Sequence, residues 1–530
     1  MKKYLSIVLA LVICLACFAP ASMAAETEER YSYSLVNWRY GPFPEERPIE
    51  EFAEEYFNID LELIYIDQND YWTQLNTRLA GGEVPDVFLL NNALSRGIDY
   101  WDQGIIGSFT EETVREYAPG VVAVVDKYAP QAWTMGRVAD GELIAIPAIK
   151  LQYAVIRPLH FNKTWLDNLG MEVPVTLDEF EEVVYAFAKN DPDGNGVDDT
   201  YGLSNTTVES IYGAFGTQPQ QWVINDEGTL DYGFTLPGMR DALELLAKWY
   251  ADGVLDPEYI TGENQGGYWA ITHAFDYQKI GVSGVGTYAH WWPTIEYNGV
   301  YLDPGTDTNT RFVKDLGEDS FEIVMACPPQ GPNGDAGNIC SDPVTWRTVY
   351  SAETVANEGK FHKILTVADA WYSDHELNTI LSSGEEGWWW EDGIDEKTGL
   401  PAMIYKTEEA KTIRDNPFDF FDGNPEKTLV GTKFEKYIAP KGQAQNDYLN
   451  EVIIPTLNKD YTTQYRAPFY TALPSKDLLT DINTMISECC TKIITGEEPI
   501  EYYDECLELF KSMGGEQVTA EANETYAALK

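Results

Sequence analysis

Apolar residues in the N-terminal part of the chain follow two different periodicities. Some runs are continuous or alternate at every second position, as in strands, and others recur at every third or fourth position, as in helices. The predicted strands are Tyr33–Asn37, Leu61–Ile66 and Val87–Leu90, and the predicted helices between them are Pro48–Phe57 and Tyr71–Ala80. Strands that alternate with helices form a parallel sheet covered by helices, which predicts an α/β unit.

The same alternation returns farther along the chain. Further strands are predicted near Ala145, Ala154, Ile280 and Ile323, and further helices at Leu177–Ala188 and Met239–Tyr250. The C-terminal part is predicted to be helical, with segments Thr480–Thr495 and Pro499–Met513. The second segment ends before the glycine pair Gly514-Gly515, which stops the helix. The pattern therefore indicates an α/β protein throughout, with a helical C-terminal region.

The length of 530 residues exceeds what one hydrophobic core usually serves, which predicts two lobes. No repeat or low-complexity linker separates them, so short crossings should join the lobes. The predicted division places residues 25–148 and 279–345 in the first lobe, and residues 149–278 and 346–530 in the second lobe with the C-terminal helices. Open parallel sheets bind ligands beyond the carboxyl ends of their strands, so we expect function in a cleft between two such edges.

Residues 1–24 have the features of an export signal. A lysine pair is followed by the short apolar run Leu5–Phe18, and small residues precede Ala25, where we expect cleavage. The apolar run is too short to be a stable transmembrane helix. A lipid anchor on Cys17 is the alternative, although Cys14 stands where a lipoprotein signal needs an aliphatic residue. We therefore expect an extracellular or cell-surface protein, and cleavage without lipid is favoured.

The charge of the chain is strongly acidic, with 36 basic and 86 acidic residues and a formal net charge of −50. Nucleic acid is excluded as a partner, because phosphate binding needs a positive field. The charge is typical of a soluble protein in an exposed compartment. An odd number of cysteines follows the signal, so they cannot all pair internally, and a Cys327–Cys340 bridge is open but unsupported.

The segment after the predicted helix Leu177–Ala188 has the spacing of a calcium-binding loop. Side-chain oxygens at the first, third, fifth and ninth positions and a backbone carbonyl at the seventh are the expected ligands, with Gly196 at the sixth for the sharp turn. These ligands are Asp191, Asp193, Asn195, Asp199 and the carbonyl of Val197. The twelfth position is Gly202 rather than the Glu of an EF-hand. An acidic solvated turn is the alternative, because Asp, Asn and Gly favour turns.

Several separated stretches, in order, resemble one known family. They are Leu75–Val87 with its glycine turn and Pro-Asp, Gly141–Pro147, Trp165–Phe180, the calcium-type loop, Trp249–Glu258, Gly384–Gly387 and Ile494–Glu497. The set resembles the family 1 extracellular solute-binding proteins, the sugar-capturing components of bacterial ABC importers. The likeness is greatest to the large Gram-positive subgroup related to alginate-oligosaccharide-binding proteins.

The resemblance implies a bilobal periplasmic-binding-protein-like fold and a non-enzymatic function. The protein would capture a carbohydrate, in particular an oligosaccharide, as a monomer and deliver it to ABC permease subunits at the membrane. A structural calcium ion would occupy the loop. Two departures from the family pattern stand out: Thr200 replaces a ligand Glu, and His160–Lys163 replaces an Arg-x-Asp.

Sugar binding needs flat aromatic rings and planar polar side chains, and 15 Trp and 33 Tyr supply many rings. The glycine-rich loop after the strand near Ile280 carries Trp291 and Trp292, for which lobe packing is the alternative. The other candidates are Trp38, just after the first predicted strand, and Asp86 and Asn91, which flank the third. Tyr153 and Trp346 lie near the predicted crossings, and Trp388 belongs to a run of three tryptophans. Asp86 could equally stabilise its turn, and packing is an alternative for Trp388. Arg466 could reach an acidic sugar, but pairing with a carboxylate is favoured.

Two other functions remain open from the residues. A secreted glycoside hydrolase needs two carboxylates about 5–9.5 Å apart, and acidic residues are too abundant here for sequence pairs to decide. An oligopeptide-binding protein would share the bilobal architecture. The chain has no Gly-x-Ser-x-Gly elbow, no His-Glu-x-x-His helix and no phosphate loop, which disfavours other common hydrolases and nucleotide-binding proteins.

Overall fold

The computed structural model describes most of the chain. The described residues are 29–39, 47–67, 70–90, 94–130, 132–135, 137–138, 141–149, 155–260, 273–284, 286, 296–298, 300–302, 321–340, 344–394, 401–407, 444–445, 447–469 and 473–528. Most of their buried apolar side chains fall into two large clusters, one in each of two lobes. In this part of the chain no helix is long and apolar enough to cross a membrane.

Strands and helices alternate along both lobes. The strands are β1 (Tyr31–Arg39), β2 (Ile59–Asp67), β3 (Val87–Leu89), β4 (Ile146–Ile149), β5 (Leu159–Asn162), β6 (Tyr201–Leu203), β7 (Trp222–Ile224), β8 (Leu230–Tyr232), β9 (Ile280–Ser283), β10 (Glu296–Tyr297), β11 (Val300–Tyr301), β12 (Ile323–Ala326), β13 (Ala336–Ile339), β14 (Val344–Tyr350), β15 (Trp390–Ile394), β16 (Pro401–Tyr405) and β17 (Thr462–Tyr465). The α-helices are α1 (Pro48–Phe57), α2 (Tyr71–Ala80), α3 (Leu94–Asp102), α4 (Glu111–Tyr117), α5 (Pro119–Tyr128), α6 (Ala132–Met135), α7 (Lys163–Leu169), α8 (Leu177–Lys189), α9 (Asn205–Ala214), α10 (Gly238–Ala251), α11 (His273–Asp276), α12 (Ala352–Ala356), α13 (Glu358–Ser373), α14 (His375–Ser383), α15 (Ile454–Leu457), α16 (Lys476–Ile494), α17 (Tyr502–Ser512) and α18 (Gly515–Ala528).

The first lobe is built on a five-stranded sheet with the strand order β2-β1-β3-β14-β4. β1 runs parallel to β2 and β3, with Leu35 opposite Leu63 and Val87. β14 comes from much farther along the chain and runs antiparallel to both β3 and β4. The predicted N-terminal α/β unit is thus confirmed, and the antiparallel strand within it was not expected.

Helices cover this sheet because each presents an apolar face to it. α1 buries Ile49, Ala53 and Phe57, which are four residues apart and therefore lie on one helical face. α13 buries a second apolar face, which includes Phe361 and Trp371. The two faces join one core, although about three hundred residues separate them along the chain.

The second lobe is built on a four-stranded sheet with the order β12-β5-β9-β6. β6 runs parallel to β9, whereas β5 runs antiparallel to β9 and β12. The side chain of Asn162, at the end of β5, accepts a hydrogen bond of 3.1 Å from the backbone N–H of Trp165 and caps α7. The segment His160–Lys163, which departs from the family pattern, is therefore the join between a strand and a helix.

The C-terminal helices pack on the second lobe. α16 contacts α10 and α17, and its buried face belongs to the second core. Cys489 of α16 and Cys506 of α17 form a disulfide. Cys327, Cys340 and Cys490 are free, so the Cys327–Cys340 bridge that the sequence left open is not formed.

The division between the lobes differs from the predicted one. Strands β9 and β12, within residues 279–345, belong to the second sheet, whereas helices α12 to α14, within residues 346–530, pack in the first lobe. The chain passes to the second lobe between β4 and β5, returns between β13 and β14, and crosses again after β16. Strand pairing over long sequence distances decides which sheet a strand joins, and periodicity carries no information about it.

Candidate ligand-binding cleft

The carboxyl edges of the two sheets are connected to each other by the crossings. β4 runs parallel to β3, because both are antiparallel to β14. The first crossing therefore leaves the carboxyl edge of the first sheet at Ile149. It enters β5 at Leu159, opposite the carboxyl end of β9, where His160 pairs with Ser283. The crossing thus joins the two edges at which α/β sheets bind ligands, which is where a cleft between the lobes is expected.

Three polar side chains from distant segments meet at the second-lobe side of this cleft. Arg157 lies between the first crossing and β5, Glu209 lies on α9, and Asn338 lies on β13 next to the second crossing. The Nη2 of Arg157 forms an ion pair with the carboxylate of Glu209 and donates a hydrogen bond of 3.0 Å to Oδ1 of Asn338. The Arg157 and Glu209 side chains are 26% and 33% exposed, so both are partly accessible to solvent.

Buried polar atoms without a hydrogen-bond partner occur on Arg157 and on the segment that contains α9. Within the described residues, the Nε of Arg157, the Oγ of Ser204, the Oγ of Ser210 and the Oε1 of Gln218 accept or donate no hydrogen bond. Burial also lowers the pKa of the Arg157 guanidinium. Buried polar groups in native proteins are almost always satisfied by protein, water or ligand. The exposed parts of Arg157 and Glu209 supply a donor and an acceptor at this edge.

Asp86 lies away from this cleft, at the amino end of β3. Its Oδ2 accepts a hydrogen bond of 2.8 Å from the backbone N–H of Ser34. Its Oδ1 accepts one of 2.6 Å from Nζ of Lys360 and another from Oγ1 of Thr354. Burial alone would raise the pKa of Asp86, but these hydrogen bonds lower it below its ordinary value. Both carboxylate oxygens are occupied at the wrong edge of the sheet, so the structure does not place Asp86 as a ligand contact.

Trp388 packs against the first lobe. Its ring centroid lies 6.2 Å from that of Phe52 on α1 and 6.0 Å from that of Trp389. Trp388 and Trp389 are partly buried against the first core, and Trp390 is fully buried. This position matches the packing alternative for Trp388 rather than a place in the cleft.

The remaining predicted contacts are placed by their backbones or lie outside the described residues. Trp38 is the penultimate residue of β1, at the carboxyl edge of the first sheet, and Trp346 is near the start of β14, where its backbone pairs with Pro147. Both backbones are thus at the cleft edge, while their side chains are not described. Asn91, Tyr153, Trp291 and Trp292 lie outside the described residues. Sequence reasoning missed Arg157, Glu209 and Asn338, which no local motif marks.

The calcium-type loop folds back on its own carboxylates. The N–H of Gly196 donates to both carboxylate oxygens of Asp191, at 3.2 and 3.1 Å. The Nδ2 of Asn195 donates to Asp193 at 2.8 Å and to Asp199 at 3.3 Å. Burial first, and then the nearby Asp191 and Asp199 carboxylates, raise the pKa of Asp193. The Asn195 amide thus links two of the expected oxygen donors, Asp193 and Asp199.

Three observations limit how far this loop resembles a complete metal centre. In the described ranges, no three His, Cys, Asp or Glu side chains are grouped closely enough to hold a metal. The Oγ1 of Thr200 donates a 2.8 Å hydrogen bond to the carbonyl of Phe187 and is buried, so Thr200 is not a ligand. Gly202 lies on β6 against Val184, where a Cβ would approach Val184 to 2.6 Å. A twelfth-position Glu of the EF-hand type therefore does not fit.

Comparisons with known proteins agree with this architecture. The protein is 22% identical over 530 residues to the polygalacturonan/rhamnogalacturonan-binding protein YtcQ of Bacillus subtilis (strain 168). That alignment covers 97% of this chain and 94% of the relative. It is 22% identical over 498 residues to lipoprotein LipO of the same organism, which covers 90% of this chain and 88% of the relative.

Solved structures match over nearly the whole chain. The fructo-nystose complex of an EF-hand mutant of the Streptococcus pneumoniae ABC-transporter substrate-binding protein FusA has a TM-score of 0.64 at 16% identity, covering 94% of this chain and 99% of that one. The alginate-binding protein AlgQ2 without calcium ion has a TM-score of 0.61 at 17% identity, with the same coverage. At these identities the likeness shows the bilobal fold.

Residues 42–351, more than half of the chain, match the family of bacterial extracellular solute-binding proteins. The chain belongs to that family.

Proposed function

We propose that this protein captures an oligosaccharide in the interlobe cleft and delivers it to the permease subunits of an ABC importer. The observation that carries the proposal is the junction of the two carboxyl edges, with Arg157, Glu209 and Asn338 at the second-lobe side. Hydroxyl groups both donate and accept, which suits this mixed set of polar groups. Family membership supports solute binding, and the relatives whose names specify a ligand bind saccharides.

Aromatic residues would provide the apolar part of the site. We propose that rings near the first-lobe edge and in the loop after β9 cover the flat faces of the sugar. The candidates are Trp38, Tyr153, Trp291, Trp292 and Trp346, with Asn91 as a polar contact. Closure of the lobes about the crossings would trap the sugar and present a closed surface to the permease.

Binding without turnover separates this function from a glycoside hydrolase and from an oligopeptide-binding protein. The purified protein is incubated with a panel of oligosaccharides and peptides while Trp fluorescence and released reducing ends are followed. We expect a fluorescence change with at least one oligosaccharide and no reducing-end release. Reducing-end release would favour the hydrolase, and a response to peptides alone would favour the peptide-binding protein.

We also propose that a structural calcium ion binds the loop between α8 and β6. Asp191, Asp193 and Asp199 would supply carboxylate oxygens, Val197 its carbonyl, and Asn195 its amide oxygen after rotation of the side chain. The hydrogen bonds from the Asn195 amide to both Asp193 and Asp199 support the proposal, because they bring two of the expected carboxylate ligands to one side chain. A chelator should lower the melting temperature, and calcium should restore it. No change in either direction would contradict calcium binding.

We also propose how the protein is exported and that it acts alone. Cleavage after residue 24 would release an extracellular protein, with a lipid anchor on Cys17 as the alternative, and the protein would act as a monomer. Mass spectrometry of the secreted protein distinguishes the two N-termini, since a diacylglyceryl group adds mass at Cys17.

A further inference from the structure

The ion pair between Arg157 and Glu209 brings two opposite charges into direct contact at the carboxyl edge of the second sheet. Both side chains are partly exposed. Asn338 fixes the guanidinium from the other side, with Oδ1 accepting from Nη2 at 3.0 Å and its own Nδ2 donating to the Arg157 carbonyl at 3.5 Å. The backbone carbonyl of Glu209 accepts a 2.6 Å hydrogen bond from Gln218, which holds α9 in place. The pair is therefore built into the wall of the cleft.

A carboxylated sugar fits this arrangement poorly. Its carboxylate would have to replace Glu209 on the guanidinium or lie beside the Glu209 carboxylate. Replacing one partner of a partly buried ion pair leaves the other charge unpaired, and like charges in contact repel. The field of a chain with net charge −50 adds to this repulsion.

A neutral sugar avoids both penalties. A hydroxyl group can donate to a Glu209 oxygen and accept from an Arg157 N–H while the ion pair stays intact. Adjacent hydroxyls of one sugar ring match the two adjacent charged groups. The geometry thus distinguishes saccharides by charge.

We propose that the Arg157–Glu209 pair makes this cleft selective for neutral oligosaccharides over oligosaccharides that carry carboxylates. The inference rests on the proposed function and specifies its substrate class. It also separates this protein from a relative whose name specifies polygalacturonan and rhamnogalacturonan.

The first test is a binding panel on the full protein, measured by calorimetry at low and at physiological salt. It compares neutral fructose, xylose and glucose oligomers with oligogalacturonides of the same lengths. We expect the best neutral ligand to bind at least about tenfold more tightly than any uronide, with a smaller difference at high salt. Tighter binding of a uronide would overturn the inference and leave the proposed function standing. Binding of neither class would overturn the proposed function itself.

The second test exchanges the anion of the pair. Glu209→Gln frees the guanidinium, so uronide affinity should rise by about tenfold while neutral-ligand affinity falls. The matched control is Glu181→Gln, because Glu181 pairs with Lys248 between α8 and α10, outside this group. An unchanged ratio of uronide to neutral affinity in a folded Glu209→Gln protein would contradict the inference. If the variant does not fold, the panel on the unaltered protein still decides.

Discussion

Lys476 and Asp99 connect the two lobes directly: the Nζ of Lys476 lies 2.8 Å from Oδ1 of Asp99. Lys476 begins α16 of the second lobe, and Asp99 lies on α3 of the first. A cation in the first turn of a helix is disfavoured by the helix dipole, so Lys476 gains its favourable interaction from the other lobe. The hydrogen bond to Asp99, and then the nearby charges of Asp477 and Asp102, raise the pKa of Lys476. The contact is therefore suited to influence lobe closure.

Lys476→Gln should weaken the contact between the lobes. Exposed ion pairs contribute little, so we expect ligand affinity to fall by no more than about fivefold and the average structure to open. Small-angle scattering and calorimetry at low salt measure the two effects, and both should fade in high salt. Lys511→Gln is the control, because Lys511 pairs with Glu508 within α17. Identical scattering and affinity for both variants would show that the contact has no part in closure.

Asp86→Asn should destabilise the first lobe without affecting ligand binding. Loss of the carboxylate leaves Lys360 without its charged partner, which costs about 2–4 kcal/mol at neutral pH. Because the pKa of Asp86 is lowered in the folded protein, its stabilisation is fully present above the ordinary Asp pKa and is lost as pH falls through the folded value. Denaturant unfolding should show the gap between variant and wild type closing in acid.

Asp60→Asn is the comparison for that experiment. Asp60 pairs with Arg30 at the surface, where both side chains are exposed, so little change in stability is expected. A large loss of ligand affinity in a folded Asp86→Asn protein would show that Asp86 does contribute to ligand binding.

Asp193→Asn should abolish the thermal stabilisation by calcium. The variant removes a proposed ligand carboxylate whose pKa is raised by burial and by Asp191 and Asp199, and calcium needs the deprotonated form. Calcium titration followed by melting temperature measures the effect, which should also weaken in the wild type as the pH falls, because protons compete at Asp193. Asp226→Asn, at an exposed acidic residue outside the loop, should leave the calcium response unchanged.

Reduction of the Cys489–Cys506 disulfide should destabilise the second lobe. The bridge closes a segment of 17 residues between α16 and α17, and cross-links of that size contribute about 3 kcal/mol. Denaturant unfolding with and without a thiol reductant measures the difference. Thiol titration of the unfolded, signal-free protein should rise from three reactive groups to five on reduction. Five groups before reduction would show that the bridge is absent.

Trp388→Ala should lower stability and spare binding. The ring packs on Phe52 and the first core, so its removal should cost about 2–3 kcal/mol. Trp346→Ala is the informative partner, since its backbone lies at the cleft edge and we propose that its ring contacts the sugar. Fluorescence titration of both variants with the same oligosaccharide compares them. Equal losses of affinity would argue that Trp388 also lines the cleft.

Much of the local structure could be predicted from the sequence. The bounds of α1 and α2 follow from the spacing of their apolar residues, and the structure confirms both. The calcium-type loop was also visible, because its donors lie within nine residues of one another. Asp86 shows where the prediction was wrong: it precedes β3 and so lies at the amino edge of the sheet, whereas ligand sites form beyond the carboxyl edge.

The sequence by itself determined the types of the elements, the acidic charge, the features of an export signal and the family resemblance. These properties depend on residues that are near one another along the chain. Only the tertiary structure decided that β9 joins the second sheet, that β14 joins the first, and that Arg157 meets Glu209 and Asn338. Many apolar strands look alike in the local sequence, and so do many carboxylates. The choice among them is made by the packing of the whole chain, so the cleft chemistry appears only when distant segments are brought together.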